Sequence, residues 1–455
     1  MPAALCLACS LIAVAQQPLP NLLAPQAALQ KHKSGKPKQE VSGGPHPSAQ
    51  ISLQQLGFAA PASFYLGDRL VQASLNFLDE SRLLFTFRVP GLVVRDRAAG
   101  DMSSRNTIEE RNIRAVILSL PSGRIEAESL WHLHDFGAYL WMLPNGRFLL
   151  RDRNLLQIGD SDLRLDPFLR YPGRVEYIEL DPQRQMLVAQ SSERLPASAA
   201  QDPSVEPRSS IAGDIASYDS SDSGASVLPS PGDSSHKRGS ENANYLRIFS
   251  LANRNILITT RISSNIVHLP IDGEGYYDAV RGRGTSWMIT YHNFNGPDTE
   301  MLPVDSVCTP PIDVLAPGVV LVSACNEAGG RHLAVLTRDK RRLWETQSAS
   351  THVWPLIVHS ENGTRVARAT LDIMHPITAG SPLDPSDIHS QTIQVFDVAT
   401  GKIAITGPAS PVLDGGGNFA LSPSGNRFAV LNEGSIQVYD LPSAPPIPPL
   451  PSSAH

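Results

Sequence analysis

The sequence predicts an all-β fold of four-stranded antiparallel units stacked around a common axis. Three observations carry that expectation. Short runs of Val, Ile, Leu and aromatic residues recur between Gly, Pro, Asn or Asp, as in Leu83–Val89, Ala115–Leu120, Val319–Ser323 and Phe428–Leu431, with no sustained helical period. The 455 residues include 38 Pro and 33 Gly, too many for long helices throughout. A two-part repeat is visible when the runs are aligned.

One half of the repeat is strand, Pro/Gly turn, strand. Tyr139–Leu150 (YLWMLPNGRFLL), Ile178–Ala189 (IELDPQRQMLVA), Pro355–Ala367 and Phe419–Leu431 (FALSPSGNRFAVL) follow it. Its turns suit Pro at the second position and a residue at positive φ, Gly or Asn, next. The other half is strand, short turn, descending strand, as in Val116–Ile125, Leu246–Ile256 and Ile393–Ile403. The halves join in FALSPSGNRFAVLNEGSIQVYDL, a three-strand module. Units of about 40–45 residues with four strands are the signature of a β-propeller blade. Units fall near 66–130, 131–173, 174–265, 266–311, 312–350, 351–410 and 411–441, about seven in all. Six or eight blades, or a β-sandwich pair, are the alternatives. The last unit holds three strands, so a segment near Leu70–Phe77 is expected to complete it and close the ring.

Leu421–Leu441 (LSPSGNRFAVLNEGSIQVYDL) resembles the WD40/YVTN-type β-propeller superfamily. Gln394–Asp397 with Ala399-Thr400-Gly401-Lys402 is similar to the D-x-x-T-G-K element of the YVTN-like group. The resemblance is clear over 391–441 and degrades over 66–390. No Trp-Asp dipeptide ends a strand and no Gly-His pair opens a unit, so the strict WD40 network is absent.

Outside the repeats, Ala3–Ala15 is an apolar run ending in Ala13-Val14-Ala15. It reads as a signal peptide over 1–15, too short to span a bilayer and lacking a basic residue before it. Residues 16–50 read as a disordered leader, 51–441 as the propeller, 194–243 as a Ser-rich disordered insertion and 442–455 as a Pro-rich tail. No further transmembrane span is expected. Cys6 and Cys9 would leave with the signal segment, and Cys308 and Cys325 are the candidate disulfide pair of an exported chain.

The charge is 38 − 44 = −6 with His neutral, which argues against a nucleic-acid partner. No G-x-S-x-G, H-E-x-x-H or P-loop occurs. His132, His134 and Asp135 form the best metal-like cluster, because alternation on a strand puts both His on one face. The commoner reading of such a pair is two ordinary half-exposed strand residues. Asp160, Asp162 and Asp166 invite calcium but lack an EF-hand's glycine and terminal Glu, so a polar turn is preferred. Asp272–Asp278 and Arg281–Gly284 pair charges with aromatics, and loop charges beside Gly are more often solvated than catalytic. Asn362-Gly363-Thr364 matches a glycosylation acceptor but coincides with a turn.

The reading that follows is an exported, periplasmic or extracellular, monomeric propeller that acts as a non-catalytic scaffold for a protein, peptide or glycan. No catalytic residue and no cofactor are assigned. The alternative is a propeller-type enzyme, a lactonase, glycosidase or quinoprotein-like oxidoreductase, with calcium, another divalent metal or a ligand in the central channel. Several carboxylates or His converging on the axis from different blades would favour it.

Overall fold

The computed structural model describes residues 46–59, 73–90, 111–134, 138–194, 242–262, 268–327, 330–376, 384–413 and 416–449. The expected signal peptide, nearly all of the leader and of the Ser-rich insertion, and the last part of the tail lie outside them. All described residues belong to one compact unit, Pro45–His455. Among them, no helix is long and apolar enough to cross a membrane.

In chain order the strands are β1 (Ala49–Ser52); β2 (Ser74–Asp79), β3 (Arg82–Val89), β4 (Arg111–Ser119) and β5 (Ile125–Leu133) in blade 1; and β6 (Leu140–Leu143), β7 (Arg147–Asp152), β8 (Leu155–Gly159) and β9 (Leu165–Arg170) in blade 2. Blade 3 holds β10 (Arg174–Leu180), β11 (Met186–Arg194), β12 (Asn242–Ser250) and β13 (Ile256–Ile262). Blade 4 holds β14 (Gly275–Arg281), β15 (Ser286–Asn293) and β16 (Thr299–Asp305), and blade 5 holds β17 (Ile312–Ala316), β18 (Val319–Cys325), β19 (Arg331–Thr337) and β20 (Arg342–Ser348). Blade 6 holds β21 (His352–His359), β22 (Arg365–Ile373), β23 (Ile388–Asp397) and β24 (Ile403–Ala409), and blade 7 holds β25 (Phe419–Leu421), β26 (Arg427–Asn432) and β27 (Ser435–Asp440). Every pairing is antiparallel between sequence neighbours, apart from β1 with β27. In blade 4 residues 268–272 take the inner place, through the Ile271–Tyr276 bridge and the Tyr277 N–H to Pro270 carbonyl bond of 2.9 Å. The fold is thus a seven-bladed β-propeller of four-stranded blades.

Seven apolar clusters join each blade to the next. Phe148 of blade 2 packs with Ile113 and Trp131 of blade 1, and Phe249 of blade 3 with Phe168 of blade 2. Tyr276 of blade 4 meets Ile248 of blade 3, and Val322 of blade 5 meets Tyr291 of blade 4. Phe396 of blade 6 packs on Val335 of blade 5, and Phe428 of blade 7 on Val395 of blade 6. The last cluster joins Leu431 and Val438 of blade 7 to Leu75 and Phe85 of blade 1, and the ring is closed. A blade buries both faces only by this stacking. The fourth strand of each blade lies outermost, so β5, β13 and β24 alternate buried with exposed residues.

Ring closure differs from expectation. The strand that completes blade 7 is β1, with Ile51 opposite Ile436, and β2, which overlaps Leu70–Phe77, is instead the inner strand of blade 1. Four residues of AQIS, met after a polar stretch, are too few to show a strand period. Their place is set by the open edge of β27 and by the Ile51 side chain entering the cluster between blades 7 and 1. Blade 1 also runs further than its expected limit at 130, because β5 stays in register with β4 through the Arg111–Leu133 pair.

Candidate functional site: the central channel

The turn joining first and second strands follows one plan in several blades. In blades 3, 6 and 7 it begins at Asp181, Ser360 and Ser422. The N–H of the residue three on (Arg184, Gly363, Gly425) donates to the carbonyl of the first at 3.0, 3.0 and 2.9 Å. The side-chain oxygen of the first residue also accepts backbone N–H groups at the far end: Met186 N at 2.6 Å, Arg365 N at 3.0 Å and Arg427 N at 3.1 Å. This is why Asp or Ser opens each turn. The turns crowd one end of the channel. A cavity of about 580 Å³ there is lined from blades 1, 2, 3, 6 and 7, including Glu80, Asn145, Gln183, Glu361 and Pro423. A second space of about 280 Å³ lies among the inner strands and is lined by Asn76, Trp141, Arg184 and His359 among others.

Arg184 reaches this space from blade 3, with His359 and Glu361 supplied by blade 6. Burial lowers the pKa of Arg184 against the pull of Asp181 and Glu361. Burial, with the Arg184 charge, lowers His359 to about 4, so its ring is neutral near pH 7.

A second polar group gathers on the inner strands of blades 3, 4 and 5. The Tyr177 hydroxyl is 2.8 Å from Glu179 Oε2 and 2.9 Å from His268 Nδ1, and His268 Nδ1 is 3.1 Å from Glu179 Oε2. His268 Nε2 lies 2.8 Å from the Ile312 carbonyl of blade 5. Blades 3 and 5 are not neighbours in the ring, so such contacts form only on its inner side. Both ring nitrogens face acceptors, the arrangement of an imidazolium. Desolvation opposes that charge, but Glu179, the Ile312 carbonyl and Asp313 outweigh it and raise His268 to about 9. Asp313 is raised to about 6 by burial, with His268 opposing and Glu179 adding to the rise.

The residues singled out from sequence lie elsewhere. His132 and His134 are at the end of β5, the outermost strand of blade 1, and not on a channel strand. Their rings turn to different neighbours. His132 Nδ1 is 2.6 Å from Asn112 Oδ1, and His134 Nδ1 is 2.9 Å from Asp152 Oδ2. His134 Nε2 is buried without a hydrogen bond. Asp135 lies outside the described residues. Among the described residues no three His, Cys, Asp or Glu side chains are grouped to hold a metal ion. Asp160 closes a turn, accepting from Asp162 N at 2.9 Å and Arg164 N at 3.0 Å. Asp272 is buried and accepts the Tyr277 hydroxyl at 2.6 Å, the Tyr291 hydroxyl at 3.1 Å and Gly318 N at 3.2 Å, which ties blade 4 to blade 5. Asn362 donates its amide to the Ser424 carbonyl at 2.9 Å and accepts from Thr364, as a turn residue. Cys308 and Cys325 are joined as a disulfide, with Cα atoms 5.6 Å apart. Trp141 of β6 lines the channel space.

Sequence reasoning missed Tyr177, Glu179, His268, Asp313 and Arg184. Each is a single polar residue in a strand or turn of ordinary composition. The one available signal was alignment of the turns, where Arg184 stands at the position that Gly363 and Gly425 fill.

No family model matches this sequence, and no curated protein sequence matches it. Solved structures resemble it at low identity. An uncomplexed acylaminoacyl peptidase from Pyrococcus horikoshii aligns at 8% identity and a TM-score of 0.45, covering 81% of this chain and 51% of the peptidase, so this chain spans about half its length. The β-propeller domain of the Trilobed protease from Pyrococcus furiosus aligns at 9% identity and a TM-score of 0.41, covering 79% of this chain and 88% of that one. A chain of a mitotic checkpoint complex aligns at 10% identity and a TM-score of 0.40, covering 91% and 99%. At these values the likeness carries no argument about function. What stands on the chain's own strands and interfaces is a closed seven-bladed β-propeller.

Proposed function

We propose that this protein is an exported, non-catalytic binding propeller of the WD40/YVTN-like kind, which takes a group of a protein, peptide or glycan partner into the turn-lined end of its channel. The observation that carries the reading is the cavity of about 580 Å³ ringed by turns from five blades, a concave site on a rigid frame. The His268 ring supports a binding role, because both of its nitrogens are engaged by groups of this chain, Tyr177 and the Ile312 carbonyl, and neither is left to face a bound molecule. The Cys308–Cys325 disulfide supports an oxidising compartment.

The test uses the full chain and a variant plugged at a turn that lines the cavity, Gln183→Trp. Peptides, oligosaccharides, lactones and glycosides are screened by thermal shift and for turnover. A saturable rise in Tm without turnover, lost in the plugged variant, is expected. Turnover of any of them, or binding indifferent to the plug, overturns the reading.

A second reading has one observation in its favour. Glu179 and Asp313 sit near one imidazolium, and Asp313 is raised to about 6, which is how an acid and a base are set apart in glycoside hydrolysis. Turnover of a glycoside by the wild type that Asp313→Asn abolishes would establish it.

A further inference from the structure

We propose that Arg184 is a carboxylate receptor: a single carboxylate of the ligand docks on its guanidinium inside the channel. The inference rests on the binding reading above and names the chemistry of the group bound.

The first argument is conformational. Arg184 has φ of +56°, the left-handed region, whereas the equivalent residues of blades 6 and 7 are Gly363 at +69° and Gly425 at +72°. Glycine takes that conformation freely, while a side chain with a β-carbon holds it only under steric strain. Blade 3 thus keeps an arginine where its sister turns use the residue that fits best. Strain of this kind concentrates at functional positions.

The second argument is electrostatic. Among the described residues, the Arg184 guanidinium has no hydrogen bond to a side chain or carbonyl and no direct ion pair, unlike Arg247 with Glu193 or Arg365 with Asp397. By contrast the buried Arg365 is fully engaged, with Asp397 at 3.0 Å and the carbonyls of Gly425 and Pro442. The charged and titratable groups nearest Arg184 are Asp181, Glu361 and His359. Asp181 Oδ1 accepts Gln185 N and Met186 N while its buried Oδ2 makes no hydrogen bond; Asp181 and Glu361 attract Arg184 without a direct ion pair, and the neutral His359 adds no counter-charge. At the cavity rim Asp79 is held by Arg82 at 2.7 Å, and Glu80 accepts Ser424 N at 2.8 Å. A partly desolvated guanidinium that faces a cavity and makes no direct hydrogen bond or ion pair has its fork free for an anion.

The anion is further defined by its surroundings. The planar fork of one arginine matches a carboxylate through two parallel bonds. A phosphate would carry more charge toward Glu361, the remaining carboxylate of the lining, with one guanidinium to meet it. The inner space of about 280 Å³ admits a short chain behind the carboxylate, along Trp141 and Leu140. A free small acid and the C-terminus of a peptide share this chemistry.

Titration calorimetry on the full chain at pH 7 separates the two sources. The probes are hexanoate against hexanamide, and a tetrapeptide with a free against an amidated C-terminus. Saturable binding of a free carboxylate, with its amide weaker by roughly tenfold or more, is expected. Hexanoate alone binding assigns a small acid, and the tetrapeptide alone a peptide terminus. Arg184→Gly restores the residue of the sister turns, so it should keep or raise Tm while affinity drops by roughly tenfold or more. Arg184→Lys, with the charge but not the fork, should fall between. Equal binding of acid and amide, no binding of either acid, or wild-type affinity in Arg184→Gly overturns the inference. A different ligand that the Gln183→Trp plug excludes would, in that case, leave the binding reading standing.

Discussion

His268 makes the stability of the ring depend on pH. Its folded pKa is raised to about 9 against an ordinary value of 6.5. A raised imidazole contributes stability that is complete below pH 6.5 and is lost as pH climbs through 9. Its side chain is 38% exposed, so solvent screening reduces the effect below what the shift alone implies. Asp313, raised to about 6, and His359, lowered to about 4, both act at acid pH and in opposite senses. Charging Asp313 costs stability as pH rises from 3.8 through about 6, whereas protonating His359 costs stability as pH falls from 6.5 to 4. The alkaline arm therefore reports on His268 alone among these three. Melting curves of the wild type should show Tm falling between pH 6.5 and 9, and His268→Gln should flatten that slope. An unchanged slope in the variant would remove His268 from this role.

At the scale of the element, the turn between first and second strands decides how closely blades approach. Gly363 has φ of +69°, and a β-carbon there would stand 2.5 Å from the Leu315 carbonyl oxygen of blade 5. Gly434, in the hairpin joining β26 and β27, has φ of +74° with open space around it. Gly434→Ala should lose only the backbone term, about 1 kcal/mol, while Gly363→Ala adds overpacking for a total of about 2–4 kcal/mol. Denaturant melts of the two variants check this, and equal losses would mean that the close approach to blade 5 yields without cost. Gly401 repeats the logic in the D-x-x-T-G-K element. Its β-carbon would stand 2.6 Å from the Trp344 ring, and the Trp344 indole donates to the Val398 carbonyl at 2.8 Å. The resemblance seen in Asp397–Lys402 thus has a local cause, a tight turn on which the neighbouring blade packs.

At the scale of the molecule, the four residues of β1 close the ring. They cover the edge of β27, and Ile51 enters the cluster shared by blades 7 and 1. Removing residues 1–52 should lower Tm and leave an open strand edge able to pair with another chain. Light scattering of the truncated protein should detect dimers or larger species. A truncated chain that stays monomeric with unchanged Tm would show that the interfaces between blades alone hold the ring. The tail adds a second tie across blades, because Arg365 donates to the Pro442 carbonyl and Ile447 packs against the cluster of blades 5 and 6.

The amino-acid sequence by itself determined the blade and an approximate number of them, about seven. Alternating apolar residues, Asp or Ser before a Gly turn, and recurrence at about the length of four strands are local features, and each blade states them within its own segment. It left the channel unread. Glu179, His268 and Asp313 are separated by some 130 positions, and neither their spacing nor their neighbours mark them. They meet because ring closure brings the inner strands of blades 3, 4 and 5 to one side of the axis. At His132 and His134 the alternation was legible, but the strand that carries them was not. Three further residues of β5 in register with β4 moved them from an inner strand to the outermost one. The position of Arg184 in its turn is local, and its lack of a partner is not. That depends on what blade 6 places across the channel, which only the closed ring decides.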